Sequence, residues 1–101
     1  MLNFEWDEGN MKHVIDDYPE RENTLEEIEF IFNDPDFFIK KGNEIDEEER
    51  FTGVGYGFNQ ILKVVVFVIR GENIRPISCW KAKKKTQNYY HENVRKEKNG
   101  D

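Results

Sequence analysis

Ile61-Leu62-Lys63-Val64-Val65-Val66-Phe67-Val68-Ile69 is the stretch that decides the fold of this chain. β-Branched and aromatic residues dominate it, and such side chains lose rotamer freedom in a helix but pack well on a pleated surface. The run is apolar on both faces, which places it in the middle of a sheet. Downstream, Arg70-Gly71-Glu72-Asn73 has the composition of a tight turn and leads into a strand over 74–80. Pro76 has no N–H to give to a ladder, so that strand must carry a bulge or lie at an edge there. Upstream, Gly57-Phe58-Asn59-Gln60 supplies turn residues after a weakly alternating strand over 50–56, where Gly53, Gly55 and Gly57 permit bending or close backbone approach. Three consecutive antiparallel strands follow.

The first half reads differently. Asn3-Phe4-Glu5-Trp6 alternates as a short strand, and Asp7 then reads as the N-cap of a helix over 8–18 with Met11, Val14 and Ile15 on its apolar stripe. Pro19 closes that helix, and 19–23 is a charged loop. Thr24-Leu25-Glu26-Glu27 has the form of a capping box, in which Thr24 accepts from the N–H three residues on and Glu27 reaches back. It opens a helix over 24–33 that Asn33-Asp34-Pro35 stops. Phe37-Phe38-Ile39 is a strand, and 42–49 an acidic loop. Past Trp80 the chain is a basic helix over 81–98, with a frayed tail at 96–101. The order β-α-α-β-β-β-β-α predicts an α+β fold: an antiparallel sheet with two N-terminal helices and one C-terminal helix.

Length and composition bound the rest. A chain of 101 residues suits one core, so 1–101 is read as a single domain. The hydrophobic fraction is only 37%, but aromatic residues make up 14% and each buries a large apolar area. The apolar run over 64–69 is far too short to span a bilayer, and the acidic N-terminus has no signal-peptide pattern, so no membrane partner is expected. The lone Cys79 has no internal partner, which favours a reducing cytoplasm. The net charge of −6 conceals a gradient, with acids in the first half and Lys81, Lys83, Lys84, Lys85, Arg95, Lys96 and Lys98 at the end. An acidic whole disfavours nonspecific nucleic-acid binding, although a local basic patch can still touch phosphates. The acidic loop lacks a calcium-loop pattern, and the glycines lack the spacing of a dinucleotide site. Neither a metal nor a cofactor is expected.

Several ordered stretches carry a family resemblance. Phe4-Glu5-Trp6-Asp7-Glu8-Gly9-Asn10 with His13 comes first, then Phe32-Asn33-Asp34-Pro35, then Glu49-Arg50 before a glycine-bearing strand. Val64-Val65-Val66-Phe67, Arg75-Pro76-Ile77-Ser78, Lys81-Ala82 and Tyr89-Tyr90 complete the set. Together they resemble the BrnT toxins over nearly the whole chain. The resemblance implies a RelE-like fold and metal-free mRNA cleavage. It also implies neutralisation by a cognate ribbon-helix-helix antitoxin, as in a heterotetramer. The chain departs from the family at Cys79-Trp80, where alanine and arginine are usual, and Thr86 stands where an acidic residue is expected. Losing one electrostatic donor to the transition state would slow cleavage by roughly a hundred- to a thousandfold.

RNA transesterification needs a base for the 2′-hydroxyl, a cation facing the phosphate and an acid for the leaving oxygen. The candidates are Arg50, Arg75, Lys81, Lys84, Tyr90 and His13. Arg50 and Arg75 are expected to project toward one sheet face and form a phosphate site, with Lys81 or Lys84 beside them and Tyr90 near the leaving group. Each alone is more commonly a solvated or structural charge, and Trp80 is more commonly a packing residue than a base-stacking one. The antitoxin is expected on the acidic, aromatic surface of the first half, including Glu44, Glu47 and Glu48. The competing readings are a catalytically weakened binding module that kept the fold, and a small interaction protein unrelated to RNA.

Overall fold

The computed structural model describes residues 2–45 and 48–98, with side chains for 2–40 and 48–94. The chain order is β1 (Asn3–Phe4), α1 (Glu8–Met11), α2 (Leu25–Ile31), β2 (Phe38–Ile45), β3 (Glu48–Tyr56), β4 (Leu62–Arg70), β5 (Asn73–Lys81) and α3 (Lys84–Lys98). The strands form one sheet in the order β1-β5-β4-β3-β2. The decisive run is β4, and it is central as its composition requires. β2 through β5 pair antiparallel, whereas β1 pairs parallel to β5, so the sheet is mixed rather than wholly antiparallel. Parallel neighbours need a long crossover, and the two helices and three strands between β1 and β5 provide one.

Local signals explain most boundaries. Asp7 caps α1 by accepting from Asn10 N–H, while the Asn10 side chain accepts from Asp7 N–H. α1 then widens into a π-helical turn, Lys12–Asp16, closed by Asp17 N–H donating to Lys12 O at 2.8 Å. The wider turn shifts the stripe: Val14 is fully buried, but Met11 is 39% exposed. Thr24 caps α2 through Glu27 N–H, but the Glu27 carboxylate does not reach back as a capping box would have it. β2 and β3 replace most of the expected loop over 42–49, because the β2–β3 ladder continues past a register shift between Lys41 and Glu44. Residues 1, 46–47 and 99–101 lie outside the described residues, so the second half of the tail expected at 96–101 is not addressed, while 96–98 continue α3. Gly71, at φ +61°, opens the two-residue turn between Arg70 and Asn73. At Pro76 the β4–β5 register shifts, Val66 facing Ser78 and Phe67 facing Pro76, which is the bulge the proline demands.

The core has two layers on either side of the sheet. Val14, Ile28 and Ile31 pack with Val65, Phe67 and Cys79 under the N-terminal helices. Ala82 and Tyr90 pack with Val54, Leu62 and Val64 under α3. β4 is not wholly apolar in its surroundings: Lys63 is 1% exposed and its ammonium donates to Glu27 Oε1 at 2.7 Å and Asn23 Oδ1 at 2.9 Å. The other Glu27 oxygen accepts from Phe58 N–H at 2.8 Å, which is why the side chain is not available to its own helix terminus.

Candidate nucleic-acid interface

Strand alternation sorts the side chains onto two faces. The face carrying Val65, Phe67 and Cys79 is filled by α1 and α2. On the other, α3 covers only the end formed by Val54, Leu62 and Val64. Beyond α3 the same alternation presents Thr52 and Arg50 on β3, Val66, Val68 and Arg70 on β4, and Ser78 and Arg75 on β5. Val68 pairs with Arg75, and extending the β3–β4 register one residue past Phe51 and Phe67 sets Arg50 on the other side of Val68. The two arginines expected to share a face therefore do so, one strand apart on either side of a fully buried valine.

Their electrostatic situations differ. Arg75 donates from Nη1 to Asp7 at 2.7 Å and to Glu5 at 3.0 Å, and from Nη2 to Asp7 at 3.1 Å, with its side chain only 13% exposed. Its guanidinium, helped by Asn10 N–H, holds the Asp7 carboxyl down at about 2. Arg70 binds Glu48 at 2.8 Å and reaches Glu5 at 3.5 Å. Arg50 Nε is buried and has no hydrogen-bond partner among the described residues. A buried donor without an acceptor costs about 1–3 kcal/mol, and more when charged.

Alongside α3 this face sinks into a groove of about 570 Å³. Phe38, Val54 and Val64 line it, with Trp80 on β5 and Tyr89 on α3, and Lys40 and Lys85 stand at its rim. Lys40 Nζ lies 5.7 Å from the centre of the Tyr89 ring, which is 50% exposed.

The other expected site residues are not gathered here. Lys81 is opposite Lys63 in the ladder, hence on the face of the N-terminal helices, 3.9 Å from Glu22. Lys84 is exposed at the start of α3. Tyr90 is 3% exposed and donates its hydroxyl to Asp34 at 2.6 Å; burial, then that bond, push its pKa up. His13 is exposed on the π-helical turn, edge-on to Tyr18 at 5.7 Å. Of the acids expected to meet an antitoxin, Glu48 is held by Arg70, Glu47 lies outside the described residues and the side chain of Glu44 is not described.

Lys40, Arg70 and Tyr89 were not legible as site residues, whereas Lys85 belonged to the basic run read as able to touch phosphates. Each is an ordinary surface residue in sequence, and only sheet register and the crossing of α3 bring them together. Lys63 carried a signal: a lysine inside a central strand requires a buried acid.

Among the described residues no helix is long and apolar enough to cross a membrane. No curated protein matches the chain. The family described as "Ribonuclease toxin, BrnT, of type II toxin-antitoxin system" matches residues 6–86, from Trp6 through the four antiparallel strands into the first turn of α3. With its ordered motifs, its α+β sheet and an arginine-bearing face beside α3, the chain belongs to the BrnT family of ribonuclease toxins of type II toxin–antitoxin systems, a membership that implies an antitoxin partner.

Proposed function

We propose that the chain cleaves RNA on the arginine-bearing face beside α3. The observation that carries this reading is Arg50, on the same sheet face as Arg75 across Val68, with an Nε that has no hydrogen-bond partner among the described residues. A phosphodiester placed there receives a charge-assisted hydrogen bond from Arg50. Arg75, already held by Asp7 and Glu5, has its charge offset by those carboxylates and keeps the face in shape. In the reaction the 2′-oxygen attacks the adjacent phosphorus, the bond to the 5′-oxygen breaks, and the products are a 2′,3′-cyclic phosphate and a 5′-hydroxyl. Metal independence is part of the proposal, because Glu5, Asp7 and Glu48 are engaged by guanidinium groups.

The partner in this reading is a ribbon-helix-helix antitoxin that neutralises the nuclease, in a heterotetramer. Its docking surface is the α2 side, where the Phe30 and Phe58 rings lie 5.1 Å apart, tilted at 48°, while 46% and 41% exposed, beside acidic Glu26. The binding-module alternative draws support from Arg75 and Tyr90, whose polar groups already have protein partners.

The test is degradation of single-stranded RNA by purified protein in EDTA at fixed low salt, comparing wild type, Arg50→Ala and Arg50→Lys. Loss of one transition-state donor should lower the rate by roughly a hundred- to a thousandfold in the alanine variant. Cleavage equal in all three, or lost to EDTA, would overturn the proposed site. No cleavage by wild type, with an antitoxin still bound, selects the binding module.

A further inference from the structure

Trp80 is a departure from the family pattern, and the structure gives it a surface to offer. Its ring is half-buried, lies on the same sheet face as Arg50 and Arg75, and closes one end of the groove beside α3. Tyr89 and Phe38, with ring centres 5.4 Å apart, close the other end beside β2. β2 and β5 are separated by β3 and β4, and three strand spacings of about 4.8 Å set the two ends roughly 14 Å apart. Stacked nucleotides rise about 3.4 Å each, so the groove holds at most about four stacked bases. The floor is apolar, with Val54 and Val64, as flat base faces require. Lys40 and Lys85 stand at the rim, where a sugar-phosphate chain would run, and Asn88 and Glu92 offer polar groups for base edges. Thr52 connects the groove to Arg50, two residues along β3 on the same face.

We infer that this groove is a binding subsite for a short run of unpaired RNA, with one base stacked on Trp80, another on Tyr89 and the backbone leading out past Thr52 to Arg50. The subsite rests on the proposed cleavage at Arg50 and extends it, since it determines which nucleotides flank the scissile phosphate. Single-stranded RNA fits better than a duplex because stacking on side chains needs splayed bases. It also fits the charge arrangement: aromatic rings on an apolar floor with cations confined to the rim match a polyanion whose bases are its apolar part.

The experiment titrates protein into fluorescein-labelled, uncleavable 2′-O-methyl oligoadenylate and oligocytidylate of two to eight nucleotides and reads the anisotropy of the label for every variant, with Trp80 fluorescence read as well in a Trp6→Phe background where it is the remaining tryptophan. Quenching is expected, with affinity rising with length and levelling off by about four nucleotides. Trp80→Leu and Tyr89→Leu keep apolar bulk but remove the ring faces. Each should weaken binding about 5- to 150-fold, equivalent to about 1–3 kcal/mol per stacked base at 1.4 kcal/mol per tenfold. Because Trp80 also packs under α3, the half-exposed Tyr89 provides the variant least tied to folding, and circular dichroism checks both. If both variants bind RNA as tightly as the Trp6→Phe protein while Arg50→Ala does not, the subsite is wrong and the cleavage face stands. If the Trp6→Phe protein binds no RNA, both readings fail. If Tyr89→Leu loses antitoxin binding and keeps RNA binding, the groove belongs to the protein partner and the inference is overturned.

Discussion

Replacing Lys63 by methionine should come close to unfolding the protein. The ammonium and the Glu27 carboxylate meet at 2.7 Å with side-chain exposures of 2% and 8%, so water cannot take over either charge. Removing one partner of a buried pair costs about 3–5 kcal/mol, because the remaining charge stays in a low-dielectric site. Against a total stability of about 5–15 kcal/mol that is a large fraction. At about 4–8 °C per kcal/mol for a domain near this size, the melting temperature should fall by roughly 12–40 °C. Lys63→Met/Glu27→Gln should recover most of the loss. It removes both charges and still leaves an amide oxygen to accept from Phe58 N–H, as the native carboxylate does at 2.8 Å. Urea unfolding of wild type, both single variants and the double variant completes the cycle, with a coupling energy of about 2–3 kcal/mol expected for contacting charges. A Lys63→Met protein within about 1 kcal/mol of wild type would refute the reasoning, since the penalty for an uncompensated buried charge would then be absent.

Gly55→Ala should destabilise by about 1–3 kcal/mol in the same urea assay, as overpacking does. An added Cβ would lie 2.8 Å from the backbone oxygen of Ile31, an atom that cannot rotate away. The Asp7 carboxyl, held at about 2 against an ordinary 3.8, contributes stability that is full above 3.8 and lost as pH falls through about 2. Asp7→Asn should therefore flatten the acid limb of the melting-temperature profile in that window. Cys79 is fully buried, and burial pushes its thiol up to about 12, so thiol reagents at neutral pH should leave the native protein unlabelled and modify it only in urea.

What the sequence by itself determined were the features governed by neighbours along the chain. The 61–69 run had to be a central strand because β-branched residues without a polar face need cover on both sides. Asp7, Thr24, Pro35 and Gly71 each act through their own backbone or a residue a few positions away, so caps, stop and turn were legible, and Pro76 required its bulge. The family motifs were legible for the same reason. Tertiary structure decided whatever depends on partners far away in sequence. Glu27 had two ways to be satisfied, and the buried Lys63 outweighed the helix terminus because an ammonium without an acceptor costs more than an N–H facing water. Residues 40–45 became strand because ladder pairing with β3 outweighs their poor strand propensity. The six site candidates were separated the same way. Arg50 and Arg75 share a face on either side of Val68 by register, Tyr90 turns inward to Asp34, and Lys81 falls on the opposite face by strand alternation. Residue types can nominate a phosphate site, but the spacing of strands and the crossing of one helix decide which of them share a surface.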